Sequence, residues 1–575
     1  MPAVVVLIVV MGIFALGYRF YSTYLAEHVY ALDDSRTTPA HEFEDGVDYV
    51  PTNKHVLFGH HFTSVAGAAP IVGPAIAVFW GWGPALLWVV LGTVFAAGVH
   101  DFGSLVVSVR HKARNMGTLT QSVISPRSRT MFLIIQFFLL TLVNAVFAVV
   151  IGILFVANPE AVIPIFLEIP LAIFIGQYIY RTKTSALVPS IVGVLVLYAL
   201  IWVGRAFPID LIGVAEPLGM SSRTLWVLIL FFYVFISSRI PVWVLLQPRD
   251  YINSHQLFIA LGVIFLGLAV GLDTIEAPVL NTELPAGSPN WFPFLFVTIA
   301  CGAISGFHTL VASGTTSRQL DRDTDARYVG YMGALGEGSL ALGSILAVTA
   351  GVAAAGVDLN YASMYPDFGT ASDGAVGYFV GGIAGFASHL GVPISIGTIF
   401  AAVVVVSFAA TSLDTGVRLQ RYIIQEIAEN AGFRPLARNL TLATAVAVAI
   451  PLALALAPGG GKTGYAFGRL WTLFGTTNQL TAGLALTVIA VWVTRNGRSA
   501  LAQVIPLVLL LVMTTWALIL NLQSFISESD WVLAPIDAVI LVLALWLIVE
   551  AAITMRRVLA ERGAPAARAS GGGRQ

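Results

Sequence analysis

Charge and cysteine are what this chain of 575 residues has least of. Asp, Glu, Lys and Arg make up 11% of it, against roughly 25% in soluble domains. A water-soluble chain of this length would need several domains joined by polar linkers, and no such linker interrupts the sequence. Thirty Lys and Arg against 31 Asp and Glu give a net charge of -1, which implies no basic surface for nucleic acid. The single cysteine, Cys301, excludes an intrachain disulfide and a cysteine-based zinc site. Met1 to Tyr18 holds no Lys or Arg. The charged leader of a secretory signal is therefore missing, and a retained helix is expected.

What is abundant is apolar: 57% of residues are hydrophobic and the mean hydropathy is +0.85. Runs of about 20 apolar residues, the length that crosses a bilayer, predict helices near 2–23, 60–80, 84–108, 130–157, 162–179, 186–204, 225–246 and 255–273. They continue near 292–312, 329–355, 394–416, 438–456, 471–493, 501–521 and 532–555. Ala375–Leu390 is short and glycine-rich, and reads as re-entrant or interfacial. The 54 glycines and 27 prolines argue that several helices are broken. The expectation is an all-α polytopic membrane protein of about 15–16 transmembrane helices. Residues 1–555 would form one membrane domain and 556–575 a short disordered tail.

Basic residues gather in short cytoplasmic loops. Here they gather at Arg110–Arg129, Arg318–Arg327, Arg418–Arg438 and after Arg556, while 274–291, 357–392 and 523–531 contain none. This alternation puts the tail in the cytoplasm and the N-terminus outside. Loop 24–58, with Arg36 and Lys54 among several acids, votes weakly.

Gly59-His60-His61 through Gly67 and Gly306-Phe307-His308 through Gly314 share glycines and a histidine at constant offset. On that topology they cross in opposite directions, as the broken helices of inverted-repeat transporters do. Small residues and Pro70 and Pro74 free backbone groups that can hold ions or substrate.

Phe58 to Pro74, Asp101-Phe102, Ser305 to Thr316, Asp325-Ala326-Arg327 with Gly330-Tyr331, Phe408 to Thr415, and Leu473-Phe474-Gly475 with Asn478-Gln479-Leu480 together resemble the carbon starvation protein family. These are CstA-type peptide or pyruvate transporters. The resemblance implies a LeuT-like, inverted-repeat fold with extra helices. It also implies secondary uptake of small carboxylates or peptides into a prokaryotic cell, coupled to protons or sodium. His100 departs from the glutamine many relatives carry, and Gly333 to Glu337 is unusually glycine-rich.

The candidate chemistry follows from polar groups in apolar spans, which are functional by default. His60, His61 and His308, with Ser64, Gly67, Thr315 and Thr316, are expected to meet substrate. Asp101 and Glu337 are the expected proton carriers, because burial disfavours their charge; an internal ion pair is the competing reading. Thr411, Ser412 and Asp414 offer hard oxygen ligands, and the resemblance places them with Ala66 as a sodium-type site. Arg239 reads as a partner for a buried acid or as an interfacial arginine. No resident metal or cofactor is expected beyond a coupling Na+ or H+, and the oligomeric state stays open. The competing classes are a membrane metalloenzyme using the three histidines and a gated channel. Gly459 to Thr463 is not a phosphate loop, since position 456 is Leu, and Asn158-Pro159-Glu160 is no glycosylation sequon.

Overall fold

The computed structural model describes residues 1–46, 48–182, 184–356, 360–457 and 467–563. Among these the regular elements are helices: α1 Ala3–Tyr30, α2 Lys54–Val65, α3 Ala69–Trp80, α4 Trp82–Arg110, α5 Pro126–Ala157, α6 Pro159–Thr182 and α7 Leu187–Ala206. Then come α8 Ser222–Ser237, α9 Leu246–Gly271, α10 Trp291–Thr298, α11 Gly306–Gly314 and α12 Arg327–Ala354. The chain closes with α13 Phe368–His389, α14 Ile394–Asn430, α15 Leu440–Leu456, α16 Phe467–Arg495, α17 Leu501–Ser527 and α18 Leu533–Gly563. Eleven of the described helices are long and apolar enough to cross a membrane, or 13 rods when two bent pairs are added. The interrupted pair α10–α11 and the 17-residue α15 occupy the two remaining predicted crossings. The chain is an all-α polytopic membrane protein.

The bent pair α2–α3 turns by 50° at its break. It starts where α11 ends, with Thr52 N donating to Gln319 O at 3.0 Å. It finishes where α10 begins, with Trp80 Nε1 donating to Pro289 O at 2.9 Å. The two broken helices are therefore antiparallel, as the repeat in the sequence predicts. One face of the protein gathers Met1, the stretch 272–290 and Trp80: Ile275 N donates to Met1 O and Asn281 N to Trp80 O. The opposite face gathers the basic loops, where Arg110 pairs with Asp323 at 2.5 Å and Arg129 pairs with Glu426.

α13 contains Ala375–Leu390 except its last residue. It starts with Phe368 packed on Phe79 and Trp80 and ends with His389 3.1 Å from Asp273. Both ends meet the same face, so this helix lies along it, in agreement with an interfacial segment.

Helix ends differ from the sequence expectation in three informative places. α9 begins at Leu246, not near 255, which carries Arg249 and Asp250 into the packed interior. α14 runs on to Asn430, so Arg418 and Arg421 are buried helical residues and not loop charges. Their guanidiniums donate to the carbonyls of Ser237, Ser238 and Ile240, satisfying the orphan acceptors at the end of α8. α18 continues to Gly563 and takes in the first residues of the expected tail; the rest of that tail, and Gly459 to Thr463, lie outside the described residues.

Candidate functional site at two helix breaks

The first break, Ala66 to Ala68, separates α2 from α3; the second separates α10 from α11. Glycine lets the two meet. A Cβ on Gly73 would sit 2.4 Å from the carbonyl oxygen of Thr298. One on Gly302, whose φ is +96°, would sit 2.7 Å from Ala341 Cβ, so glycine there lets α12 approach the second break. One on Gly67 would meet Ser412 Oγ at 2.4 Å, so α14 seats directly on the first break.

Unwinding a buried helix exposes backbone groups that must find partners. α16 supplies them. Asn478 Oδ1 accepts from Phe307 N at 3.0 Å, and its Nδ2 donates to Ser305 Oγ at 3.0 Å. Trp471 Nε1 donates to Thr298 O at 3.1 Å and Gln479 Nε2 to Phe296 O at 2.6 Å. The family-like Asn478-Gln479 pair thus holds the second break open.

Next to that break lies a fully buried chain of titratable groups drawn from α4, α11 and α12. His308 Nδ1 is 2.8 Å from Asp101 Oδ2, and His308 Nε2 is 3.2 Å from Glu337 Oε1. His100 Nδ1 holds the other Asp101 oxygen at 2.7 Å, while its Nε2 meets Thr309 Oγ1 at 2.6 Å. Neither Glu337 oxygen has a well-aligned hydrogen bond. His61 adjoins this group: a Cβ on Gly333, one turn before Glu337, would sit 2.8 Å from its Cδ2. A Cβ on Gly336 would press on Phe62 at 2.6 Å. Glycines at 333 and 336 therefore let α2 approach α12 beside Glu337, which is a physical reason for that glycine-rich stretch.

His61 Nδ1 meets Thr316 Oγ1 at 2.9 Å and leaves Nε2 buried without a hydrogen bond. His60 instead faces Asp250 at 3.4 Å. Ser64 and Thr315 donate to the carbonyls of His60 and Val311 one turn back, the usual habit of hydroxyls in apolar helices. Thr411 accepts from Asn253 Nδ2 at 2.6 Å.

The remaining expected cation ligand, Asp414, belongs to a second ion cluster. Arg249 Nη1 is 2.8 Å from Asp414 Oδ2, and Arg249 Nε is 3.4 Å from Glu168 Oε1. Tyr233 and Ser237 donate to Asp414 at 2.7 Å each. Sequence reasoning missed Arg249 and Glu168. Its signal was a charged pair beside Pro248, set in what read as a loop between two spans. Arg239, the arginine singled out instead, is exposed and stacks on Phe235. Among the described residues no three His, Cys, Asp or Glu side chains converge as metal ligands, which gives the three-histidine metalloenzyme no support.

The family model for Carbon starvation protein CstA matches residues 2–365 and 359–517. A peptide transporter CstA of Campylobacter jejuni is 33% identical over 91% of this chain and 81% of its own length. A pyruvate/proton symporter, BtsT, of Escherichia coli is 30% identical over 89% of this chain and 81% of its own. A solved manganese transporter of Eremococcus coleocola aligns with 90% of this chain and 99% of its own, at 14% identity and a TM-score of 0.46.

Proposed function

The chain belongs to the carbon starvation protein CstA family, and from that premise we propose that it imports a short peptide or small carboxylate, coupled to protons, by alternating access. The observation that carries the coupling is the Asp101–His308–Glu337 chain beside the second break. Fully ionised, two carboxylates about one imidazolium leave a surplus negative charge in a dry interior, which is costly. One proton neutralises it. Glu337 is the natural port, since its oxygens lack aligned donors; His308 contacts both acids and can pass the proton between them. Asp101, gripped by two histidines, is the anchored end.

Substrate is assigned to the first break. The N-terminus of α3 points the positive end of its dipole there, which favours a carboxylate. His61, on the adjoining helix, holds a buried Nε2 with no hydrogen-bond partner, available to a substrate group. Proton and substrate are then coupled through the Gly333 and Gly336 contacts of α2 with α12, because α2 carries His61 and α12 carries Glu337. A relative named as a proton symporter favours protons over sodium. A sodium-type site at Ala66, Thr411 and Ser412 is the second reading, supported by the seating of Ser412 on Gly67.

The basic face is assigned to the cytoplasm of a prokaryotic cell, with the C-terminus on it and Met1 outside. Single cysteines at exposed Thr282 and Arg322, with Cys301 changed to Ser, are expected to label from opposite sides; labelling from one side would overturn the orientation.

The function is tested in proteoliposomes offered pyruvate, dipeptides and tripeptides under imposed proton or sodium gradients. Saturable uptake that follows the proton gradient is expected. Uptake that ignores both gradients, or linear flux like that of a pore, would overturn secondary transport.

A further inference from the structure

One buried carboxylate takes no part in either ion cluster. Asp537 stands on α18, which packs against α16, α17 and α5. It is 0% exposed, and among the described residues neither of its oxygens has a hydrogen bond. Its neighbours along the same inward stripe, Leu533, Ile540 and Ala544, are apolar. Two contacts fix its height. Arg469 of α16 lies 3.6 Å from Asp530, and Thr494 Oγ1 meets Met555 Sδ at 3.8 Å, each pair being 61 positions apart. α16 and α18 therefore run parallel at a constant offset, and Asp537 is level with Thr476, two residues before the Asn478 that holds the second break.

A carboxylate without a counter-ion is costly in a dry interior. An aspartate that ties nothing together does one thing there that asparagine or leucine would not: it takes up and gives up a proton. We propose that Asp537 is a proton-binding site outside the coupling chain, neutral while the outer medium supplies protons, whose ionisation loosens α18 from α16 and slows uptake. The effect on uptake rests on the proton-coupled import reading. No neighbouring helix offers another way to offset the charge. α17 has no charged residue from Leu501 to Ser527, nor has α15 from Leu440 to Leu456; α5 has only Arg127 and Arg129, at the basic face, and the next charge on α18 is Glu550. On α16, Arg495 stands at the far end, and Arg469 lies about 10 Å above Thr476 at the helical rise, already engaged by Glu528 and Asp530. Outer water comes close to this level. A cavity of about 400 Å³ opens on the face shared with Met1 and is lined by Thr472, one turn above Thr476. α16 carries the change inward, because its Trp471, Asn478 and Gln479 brace the second break.

The test uses the full chain and two variants, Asp537→Asn and Asp537→Leu, of which only one needs to fold. An ionised Asp537 costs the packed protein but not the solvated unfolded chain, so its presence should lower stability increasingly as pH rises. The gain in thermal stability of either variant over wild type, in detergent, is therefore expected to grow from about pH 5.5 to about pH 8.5. In proteoliposomes with a fixed proton gradient, uptake by the variant should exceed that of wild type about tenfold one pH unit above the wild-type midpoint, with the proton-to-substrate ratio unchanged. Differences in stability and uptake that are the same at every pH would make Asp537 packing only and overturn the site. A lowered proton-to-substrate ratio would put Asp537 inside the coupling chain and overturn it equally. The stability arm needs no transport. Wild-type uptake that ignores the proton gradient would sink the import reading, and the pH-dependent stability difference would still decide whether Asp537 binds a proton.

Discussion

Two buried clusters in this transporter share one plan, two acids about one cation, and differ in the cation. In the first, Asp101 and Glu337 flank His308; in the second, Glu168 and Asp414 flank Arg249. Histidine gains and loses its proton near neutral pH, while arginine keeps its charge at any pH a cell meets. The helices differ in the same sense. His308 sits on nine-residue α11, which begins at a break, whereas Arg249, Glu168 and Asp414 stand on continuous helices of 21 residues or more. On the proposed coupling, the first cluster changes state during a cycle, whereas the second holds α6, α9 and α14 together.

The largest effect should come from removing the permanent cation. Arg249→Met leaves two buried carboxylates uncompensated, and breaking a buried pair costs about 3–5 kcal/mol. Thermal unfolding of the detergent-purified protein should fall steeply, and the added change Asp414→Asn should restore part of the loss. An Arg249→Met protein of normal stability that fails only in transport would make the second cluster part of the cycle and erase the contrast.

His308→Gln should do the opposite. An amide keeps a hydrogen bond but carries no exchangeable charge, so the fold should persist while proton-driven accumulation falls to that of empty vesicles. Asp101→Asn and Glu337→Gln should behave alike. Counterflow, which needs no net proton movement, should survive in all three. Full pH-driven accumulation in both acid variants would remove the cluster from coupling.

Much of the first cluster is legible in the amino-acid sequence, and the part of the contrast that is not has a definite cause. Asp101, Glu337 and His308 stood out because each interrupts a strongly apolar run, and that is a local signal. Their convergence was not local, since 207 positions separate His308 from Asp101. Glu168 gives the same local signal, a lone acid in the run 162–179, and was passed over; Arg249 was lost for another reason. Pro248 and the neighbouring charges mimic a loop, and only packing against α6 and α14 reveals that Leu246 already starts a helix. Hydropathy windows mark where chain can enter a membrane; they do not mark where buried ion pairs let a helix continue. The same failure shortened α14 at 416 in the sequence reading. Asp414 was read as a cation ligand for want of knowing its partner.

An intermediate effect tests whether the broken helix matters to the first cluster. Asn478→Leu leaves the Phe307 amide and Ser305 hydroxyl without their partner, at about 1–3 kcal/mol. The protein should remain folded, since Trp471 and Gln479 still hold the other end of the break. Gradient-driven uptake should nevertheless drop further than stability does, because the start of the helix that carries His308 is displaced. Equal, modest losses in stability and uptake would mean that α11 serves only as packing.

The smallest effect concerns the hydroxyls of α14, and it decides whether two clusters are enough. Thr411 is engaged by Asn253, one helical turn beyond Arg249 on α9, while Ser412 faces the first break through Gly67. If protons alone drive the cycle, neither hydroxyl has an ion to hold. Ser412→Ala should then leave proton-driven uptake in sodium-free buffer within about twofold, the reach of a few tenths of a kcal/mol. Thr411→Val should cost slightly more, since it strands the Asn253 amide at about 1 kcal/mol. The opposite result is equally readable. Sodium stimulation in the wild type, abolished by Ser412→Ala with the proton response intact, would place a third charge-handling region between the two clusters. Asp414 would then link the locked cluster to the moving break through a single turn of α14.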